Sequence, residues 1–289
     1  MIVYNNQSGL TNVYLGNTNI AKVYVGTHQV YPSSIPPTPT FEGKYKLTLN
    51  DSSIVSGDCT LNTVVKENEI KAYSATTVEA EIGTCATEIG DQAFMWFTNL
   101  EKVTIPNTIT RISFNAFNQC SGLTSVDIPD SVTIIADVSF NGCKSLSSVT
   151  LSNNITRIGI GVFEECINLG GIEIPSGVTE IGTDAFKDCI SLSGITIPDA
   201  VTKIGSEAFY NCTGLTTVTI GSGITEIGSG AFEYSDNITS LTIYATTPPT
   251  ITNYTFTFTG SYPIYVPNVD AYKSSSKWSE YASRLEPIP

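Results

Sequence analysis

A phenylalanine recurs at every 23rd position through the middle of the chain, and no insertion or deletion interrupts the spacing. Other residue types keep fixed offsets from it: an isoleucine five positions before, a leucine or isoleucine six positions after and, in most phases, a cysteine three positions after. A fixed period of about 20–50 residues predicts stacked repeats, because one such unit cannot bury its apolar face alone. The phenylalanines are Phe94, Phe117, Phe140, Phe163, Phe186, Phe209 and Phe232.

Each repeat contains one short stretch of alternating apolar residues, such as Ile195 and Ile197. Alternation of β-branched residues predicts a short strand with one buried face, and the proline that often follows ends it. The segment from Ile181 to Leu192 is too short for a long helix, so we expect a turn plus one helical or 3₁₀ turn. The predicted fold class is a β-rich solenoid of 23-residue repeats, in which a parallel ladder of short strands alternates with turn and 3₁₀ segments.

Five cysteines occupy one column of this solenoid, because each lies three residues after a repeated phenylalanine. A linear column offers too few neighbours for a zinc site, which needs four ligands around one point. Phe97 takes the same position in one phase, which a catalytic or ligand position would not tolerate. Cys189 and its equivalents are therefore predicted to pack in the core as small hydrophobes. Adjacent rungs meet the distance criterion for a disulfide, but seven cysteines without a visible export signal favour a reducing compartment and free thiols.

The recurring pattern CxxLxxIxIPxxVTxIGxxAF resembles the BspA-like (Treponema-type) leucine-rich repeats over about residues 80–243. The resemblance implies a curved, right-handed solenoid that is used for adhesion and protein binding. It does not imply catalysis, and it does not identify a partner.

The solenoid is flanked by segments that break the 23-residue spacing. Residues 41–79 alternate as short strands and are predicted to form an N-terminal β cap, because a terminal rung exposes an apolar layer. Residues 244–289 are predicted to form a C-terminal cap with a strand and a short helix, in which Trp278 packs as cap core rather than as a stacking platform for sugar. The closing segment is similar to those that follow such repeats in Bacteroides-type proteins.

The N-terminus has a different character. Residues 1–31 are nearly uncharged and rich in tyrosine, and a Val-Tyr-apolar-Gly motif occurs twice, ten residues apart. Each half predicts strand, glycine-centred turn and strand, with His28 in a turn, and residues 32–40 form a proline-rich linker. A module this small needs another surface for stability, so it is predicted to anchor the chain or to oligomerise. The candidate anchoring residues are Tyr14, Leu15, Tyr24, Val25 and Tyr31.

This module resembles short segments of bacteriophage virion and fibre proteins, and the whole chain then has the layout of a phage structural protein. On that interpretation it is a fibre or decoration protein of a Bacteroides phage, made in the host cytoplasm and carried on the virion. Other virion proteins would bind residues 1–31, and a host surface protein or glycan would bind the solenoid. The alternative is a BspA-like adhesin on a bacterial cell surface, and the partner of the module then remains open, a second copy of the chain included.

Composition excludes several other classes. The chain carries 14 basic and 27 acidic residues, a net charge of −13, which repels nucleic acid and anionic membranes. No apolar run is long enough for a transmembrane helix. His28 is the single histidine, so the triads of nucleophilic catalysis are nearly excluded, and Glu164 and Glu165 are interpreted as a solvated turn rather than a glycosidase pair. We therefore expect a non-enzymatic protein without a cofactor or metal, and an unrecognised acidic active site is a remote third alternative.

The outward strand positions are small and polar and lack the Trp, Tyr and Arg anchors of a protein hot spot. Exposed aromatic candidates occur instead next to the repeated phenylalanines. Trp96, Tyr210 and Tyr234 are the candidate ligand-contact residues. The alternative for Trp96 is that it packs under the N-terminal cap.

Overall fold

The structure of the protein is a computed structural model that describes residues 43–57, 64–252, 254–256 and 262–289, together with four short strands near the N-terminus. The chain divides into two compact units, Met1–Thr40 and Phe41–Pro289. In the first unit, Ile2–Asn5 pairs antiparallel with Thr11–Tyr14, and Val23–Val25 pairs antiparallel with His28–Val30.

The four strands of the N-terminal module contain some of the residues singled out in the sequence. His28 lies in a strand opposite Val25, so its predicted position in a turn is wrong. Tyr14, Tyr24 and Val25 lie in strands. Leu15, Tyr31, the side chains of all five candidate anchoring residues and the linker 32–40 lie outside the described residues.

The second unit is the predicted solenoid, and its repeats stack in register. Strands of the alternating apolar pair lie parallel to one another and in most repeats pair with the strand 23 residues later, as Ile195 pairs with Val218 and Val218 with Leu241. We call this ladder the first strand row. Its strands are Thr77–Ile82, Lys102–Thr104, Ser125–Asp127, Ser148–Thr150, Gly194–Ile197, Thr217–Ile220, Ser240–Ile243, Ile264–Val266 and Leu285–Pro287.

A second strand row runs alongside the first, and the sequence analysis did not anticipate it. Its strands are only two residues long, and in all but the first of them the second residue is the isoleucine that precedes a phenylalanine by five positions; in the first it is Val65, five positions before Ile70. Two residues are too few to display an alternating pattern, so this ladder is recognisable only from its pairing. The strands are Val64–Val65, Glu88–Ile89, Arg111–Ile112, Ile134–Ile135, Arg157–Ile158, Glu180–Ile181, Lys203–Ile204, Glu226–Ile227 and Thr250–Ile251.

The phenylalanine segments form the remaining side of the solenoid as consecutive turns. Backbone amides donate alternately within the turn, as Lys187 N does to Asp184 O at 3.2 Å, and to the next repeat, as Phe186 N does to Ala208 O at 2.8 Å. Asp184 and Asp188, two positions before and after Phe186, have φ of 55° and 60°. The predicted turn is present with 3₁₀-type hydrogen bonds, and these left-handed residues interrupt it. The outward surface of residues 183–190 and of the equivalent residues in other repeats is called the turn face.

Both strand rows are interrupted near the middle of the solenoid. Residues 171–174, which the structure describes, form no strand, and the second row divides between Ile135 and Arg157. Glycine weakens a strand because it gains no side-chain packing and loses more backbone entropy, and this rung carries Gly170 and Gly171. Phe140 N still donates to Val162 O at 3.0 Å, so hydrogen bonding on the turn side continues through the interruption.

The repeated phenylalanines form one continuous stack in the core. Neighbouring rings lie 5.1–5.8 Å apart, with interplanar angles of 7–17°. The stack extends past Phe232 to Phe256 and ends on Trp278, whose ring centroid lies 5.6 Å from that of Phe256. Trp278 is fully buried and its Nε1 donates to Pro249 O at 2.7 Å, which confirms its predicted role as cap core.

The five column cysteines are free and fully buried, as predicted. Each thiol also donates a weak hydrogen bond, at 3.0–3.3 Å, to the phenylalanine carbonyl one repeat earlier, as Cys189 Sγ does to Phe163 O. Ser235 takes the position in the last repeat and makes the same bond, at 2.8 Å, to Phe209 O. Sequence reasoning missed this donor role, although the serine replacement was a sign of it.

One expectation about cysteine is wrong. Cys85 is disulfide-bonded, whereas the sequence analysis favoured free thiols throughout. The other cysteine outside the column, Cys59, lies outside the described residues. The odd number of seven cysteines suggested that none of them forms a disulfide. Five of the seven pack in the core as free thiols, so the number says nothing about the remaining two.

Caps close both ends of the ladder. A hairpin of Tyr45–Leu49 and Ile54–Gly57 adds antiparallel to Thr77–Ile82 and is followed by a short α-helix, Glu67–Ile70, and a 3₁₀ turn, Lys71–Tyr73. Lys44, almost completely buried, forms an ion pair with Glu69 at 2.8 Å. At the far end the helix Val269–Ser274 and the 3₁₀ turn Trp278–Tyr281 cover the last rung. None of the described helices is long and apolar enough to span a membrane.

The phenylalanine stack is expected to dominate stability. Replacing Phe163 by alanine in the middle of the stack should lower the free energy of unfolding by about 3–5 kcal/mol, because it leaves a cavity that rigid neighbours cannot fill. Urea unfolding followed by circular dichroism measures this. Phe114 is a matched control, since it is 46% exposed, and its alanine variant should stay within about 0.5 kcal/mol of the wild type. Equal losses in both variants would contradict the assignment.

The thiol column is expected to be chemically silent in the folded protein. Burial raises the pKa of these thiols, to about 12 for Cys143, so few reactive thiolates exist at pH 8. Ellman's reagent should therefore titrate five further thiols only after unfolding in guanidinium chloride. The free energy of unfolding should fall as pH rises above about 8.5, where unfolded thiols ionise and folded ones do not. Rapid labelling of the native column would refute this packing.

Candidate binding surface on the turn face

The candidate aromatic residues lie on the turn face, at opposite ends of the solenoid. Trp96 and Tyr234 both follow a repeated phenylalanine by two positions, and six rungs separate them. At about 4.8 Å a rung, the two side chains lie roughly 29 Å apart along the ladder. The structure therefore brings Tyr210 and Tyr234 together and leaves Trp96 apart.

Trp96 is exposed. Its side chain is 55% accessible and its backbone φ is 66°, in the left-handed region that bulky side chains disfavour. The alternative that Trp96 packs under the N-terminal cap is therefore wrong. The turn directs this side chain outwards, and the core position beside it belongs to Phe97, whose ring meets Phe94 edge to face at 5.2 Å.

Tyr210 and Tyr234 form an edge-to-face pair, with ring centroids 5.1 Å apart and an interplanar angle of 81°. The Nζ of Lys187 lies 5.0 Å from the centroid of the Tyr210 ring, within the range of a cation–π contact. The same ammonium contacts Asp184 Oδ1 at 3.4 Å and Glu207 Oε2 at 2.5 Å. These contacts fix Lys187 and Tyr210 in place, while Tyr234 is 52% exposed.

The surroundings of the pair are acidic. Burial raises the pKa of Glu164, and the nearby Asp184 adds to the effect. Partial desolvation raises the pKa of the Tyr210 hydroxyl, with further contributions from Tyr234, Glu233 and Glu207. Like charges therefore act on one another across neighbouring rungs. The turn-face carboxylates of these rungs are Glu164, Glu165, Asp184, Asp188, Glu207, Glu233 and Asp236, and the lysines beside them are Lys187 and, on the preceding rung, Lys144.

The first strand row presents a different surface. Its outward residues are small and polar, and Gly171 and Gly194 leave a shallow depression of about 690 Å³ that Ile172 and Thr196 also line. Glu173 is the one charged residue that lines it and no aromatic residue does, so the depression offers little binding energy. It is a weaker candidate than the turn face.

A further exposed apolar group was missed by the sequence analysis. Phe114, Ile134 and Ile160 are each more than 40% exposed and belong to adjacent repeats near the second strand row. The sequence could have indicated this group through Ile134, because charged residues occupy the equivalent position in the neighbouring repeats. Arg111 and Arg157 flank it on either side, but each is paired with a carboxylate at 3.6 Å.

Nothing in this arrangement resembles catalytic machinery. The single histidine belongs to the N-terminal unit. Among the residues that the structure describes, no three histidine, cysteine or carboxylate side chains are grouped to hold a metal ion. What the turn face offers is an aromatic pair and negative charge on a rigid support, which suits recognition.

Stacked repeats around one continuous core place this protein in the class of solenoid repeat proteins. The family model described as BspA type leucine rich repeat region matches residues 68–193 and 179–278, with six copies of the repeat. These matches cover more than half of the chain, and the protein belongs to that family. No curated protein matches the chain.

Solved structures similar to this chain include bacterial leucine-rich repeat proteins. A leucine-rich repeat protein from Eubacterium ventriosum is 24% identical with a TM-score of 0.53, over 66% of this chain and 50% of that one, so this chain spans half of its length. The T. pallidum leucine-rich repeat protein is 26% identical with a TM-score of 0.45, over 58% and 77% of the two chains. A Bacteroides ovatus leucine-rich repeat protein is 17% identical with a TM-score of 0.37, over 99% and 97%. The first of these demonstrates the shared fold.

Replacing Trp96 by asparagine should leave the melting temperature unchanged or raise it. Asparagine tolerates φ near 66° better than tryptophan does, and little buried area is lost from an exposed side chain. Differential scanning calorimetry measures the change. A clear fall in melting temperature would instead indicate that Trp96 packs against the cap.

Proposed function

We propose that this protein is a non-enzymatic adhesion protein that binds a partner through the turn face of its solenoid and is held in place through residues 1–31. The single observation that supports this most strongly is the Tyr210–Tyr234 pair, in which Tyr234 is exposed and Tyr210 half-buried, on a backbone that is hydrogen-bonded from repeat to repeat. Aromatic side chains supply much of the binding energy at protein interfaces. A rigid support adds affinity because little ordering entropy is lost on binding.

The partner of the solenoid is proposed to be a surface protein or glycan of the host or its surroundings. Residues 1–31 are proposed to bind other virion proteins, with Tyr14, Leu15, Tyr24, Val25 and Tyr31 as contacts. In this setting the protein is a bacteriophage fibre or decoration protein. The layout of an uncharged module, a proline-rich linker and a binding solenoid supports it.

A bacterial cell-surface adhesin is the second candidate setting. The disulfide at Cys85 favours it, because disulfides form in oxidising compartments and a phage protein is assembled in the reducing cytoplasm. In that setting residues 1–31 would bind the cell envelope or a second copy of the chain.

The two settings differ in where the protein resides, so fractionation tests them. Density-purified particles and washed cell envelopes from the producing culture are analysed by mass spectrometry. Peptides from the intact chain in particles would support the virion setting, and peptides only in envelopes would support the adhesin.

A chain lacking residues 1–31 provides the control. It should retain the circular dichroism spectrum and melting transition of the solenoid, because that unit has its own core. It should no longer associate with particles or envelopes. Unchanged association of the truncated chain would overturn the anchoring role.

A further inference from the structure

We infer that the surface around Tyr210 and Tyr234 binds a lysine- or arginine-bearing segment of a partner protein. The inference rests on the proposed binding function and names the chemistry of its partner. It follows from the charge, the aromatic geometry and the extent of this part of the turn face.

The charge of this surface indicates that the segment it binds is positively charged. Seven carboxylates and one lysine, Lys187, occupy the turn face of the four rungs that carry Phe163 to Phe232, and Lys144 lies on the rung before them. Lys187 is committed to Asp184 and Glu207, and Lys144 lies 3.3 Å from Glu165. The surface therefore keeps a negative excess that attracts cations and repels acidic partners.

The aromatic pair indicates which cationic groups would bind, namely ammonium and guanidinium groups. Tyr210 already holds an ammonium group, that of Lys187, 5.0 Å from its ring centroid and bonded to a carboxylate at the same time. This internal contact is an example of the chemistry that a partner's lysine or arginine would meet at Tyr234. That ring is 52% exposed, and Glu233 precedes it directly. Cation–π contacts with flanking carboxylates favour ammonium and guanidinium groups over apolar ligands.

The tyrosine at position 234 is not explained by its backbone. Its φ of 61° is one that a bulky residue disfavours. The equivalent positions of the five preceding repeats carry small or polar residues, namely Gln119, Gly142, Glu165, Asp188 and Asn211. Packing does not require it either, since half of the side chain faces solvent. A ligand contact is a reason for an aromatic ring at this position.

The extent of the surface points to a peptide segment rather than a single ion. Three rung intervals separate Glu164 from Glu233, which is roughly 14 Å along the ladder. An extended chain rises about 3.3 Å per residue, so four or five residues span that distance. The described carboxylates are not grouped to hold a metal ion. Several cationic side chains along one segment match this spread of charge.

The test is calorimetric titration of the full chain with a synthetic (Gly-Lys)₄ peptide and its Arg equivalent, and with (Gly-Glu)₄ as the charge control. The basic peptides should bind and the acidic one should not, with affinity falling as salt rises. The variant Tyr234→Ala should bind the basic peptides about 5-fold more weakly, within the range of a lost cation–π contact. Tyr244 supplies the matched control, since it is 47% exposed but follows the strand Ser240–Ile243 rather than lying on the turn face, and Tyr244→Ala should bind as the wild type does.

Two results would overturn the inference. One is that neither basic peptide binds, and the other is that Tyr234→Ala and Tyr244→Ala bind equally well, since net charge alone would then account for the affinity. Circular dichroism of each variant separates loss of binding from loss of fold. Fractionation of the native protein into particles or envelopes does not depend on these peptides. The failure of this inference can therefore be told apart from the failure of the proposed function.

Discussion

The stack of phenylalanine rings in the core is the interaction on which the rest of the structure depends. Ring centroids repeat every 5.1–5.8 Å, close to the spacing of about 4.8 Å between neighbouring strands, so ring stacking and backbone pairing fit one another. The period of 23 residues from Phe94 to Phe232 agrees with this match, and Phe256, which follows Phe232 after 24 residues, still stacks on it at 5.7 Å, so the stack accommodates one extra residue in a connecting loop. The isoleucine, cysteine and leucine columns lie at fixed offsets from the phenylalanines and so stack in the same register.

The turns on either side of the phenylalanines explain two features of the protein together. Left-handed residues before and after each ring let the backbone bond alternately inwards and to the next repeat. The position three after the ring then faces a carbonyl of the preceding repeat, which is why cysteine or serine, both small donors, stands there. The left-handed positions themselves face solvent, so their side chains vary without cost to the core. Trp96 and Tyr234 occupy this variable set.

The first strand row is interrupted at Gly171 and the second between Ile135 and Arg157, and these two neighbouring interruptions show how strongly the repeats depend on strand pairing. The sheets are divided there. Phe140 and Phe163 nevertheless stack at 5.8 Å, and backbone amides on the turn side still donate hydrogen bonds to the next repeat. The core and the turn side therefore hold the solenoid together where the ladders do not. The acidic surface of the turn face begins at Glu164, on the Phe163 rung, and depends on this continuity.

The sequence by itself determined the solenoid, its core columns, the burial of the cysteines and the cap role of Trp278. It could do so because a strict period converts offsets along the chain into columns in space. Only the tertiary structure decided the second strand row, the exposure of Trp96, the disulfide at Cys85 and the pairing of Tyr210 with Tyr234. Two-residue strands are too short to show an alternating apolar pattern. The direction of a side chain such as that of Trp96 depends on whether its backbone φ is positive. Tyr210 and Tyr234 stand at different offsets in successive repeats, so their contact exists only once the register and the turn geometry are both known.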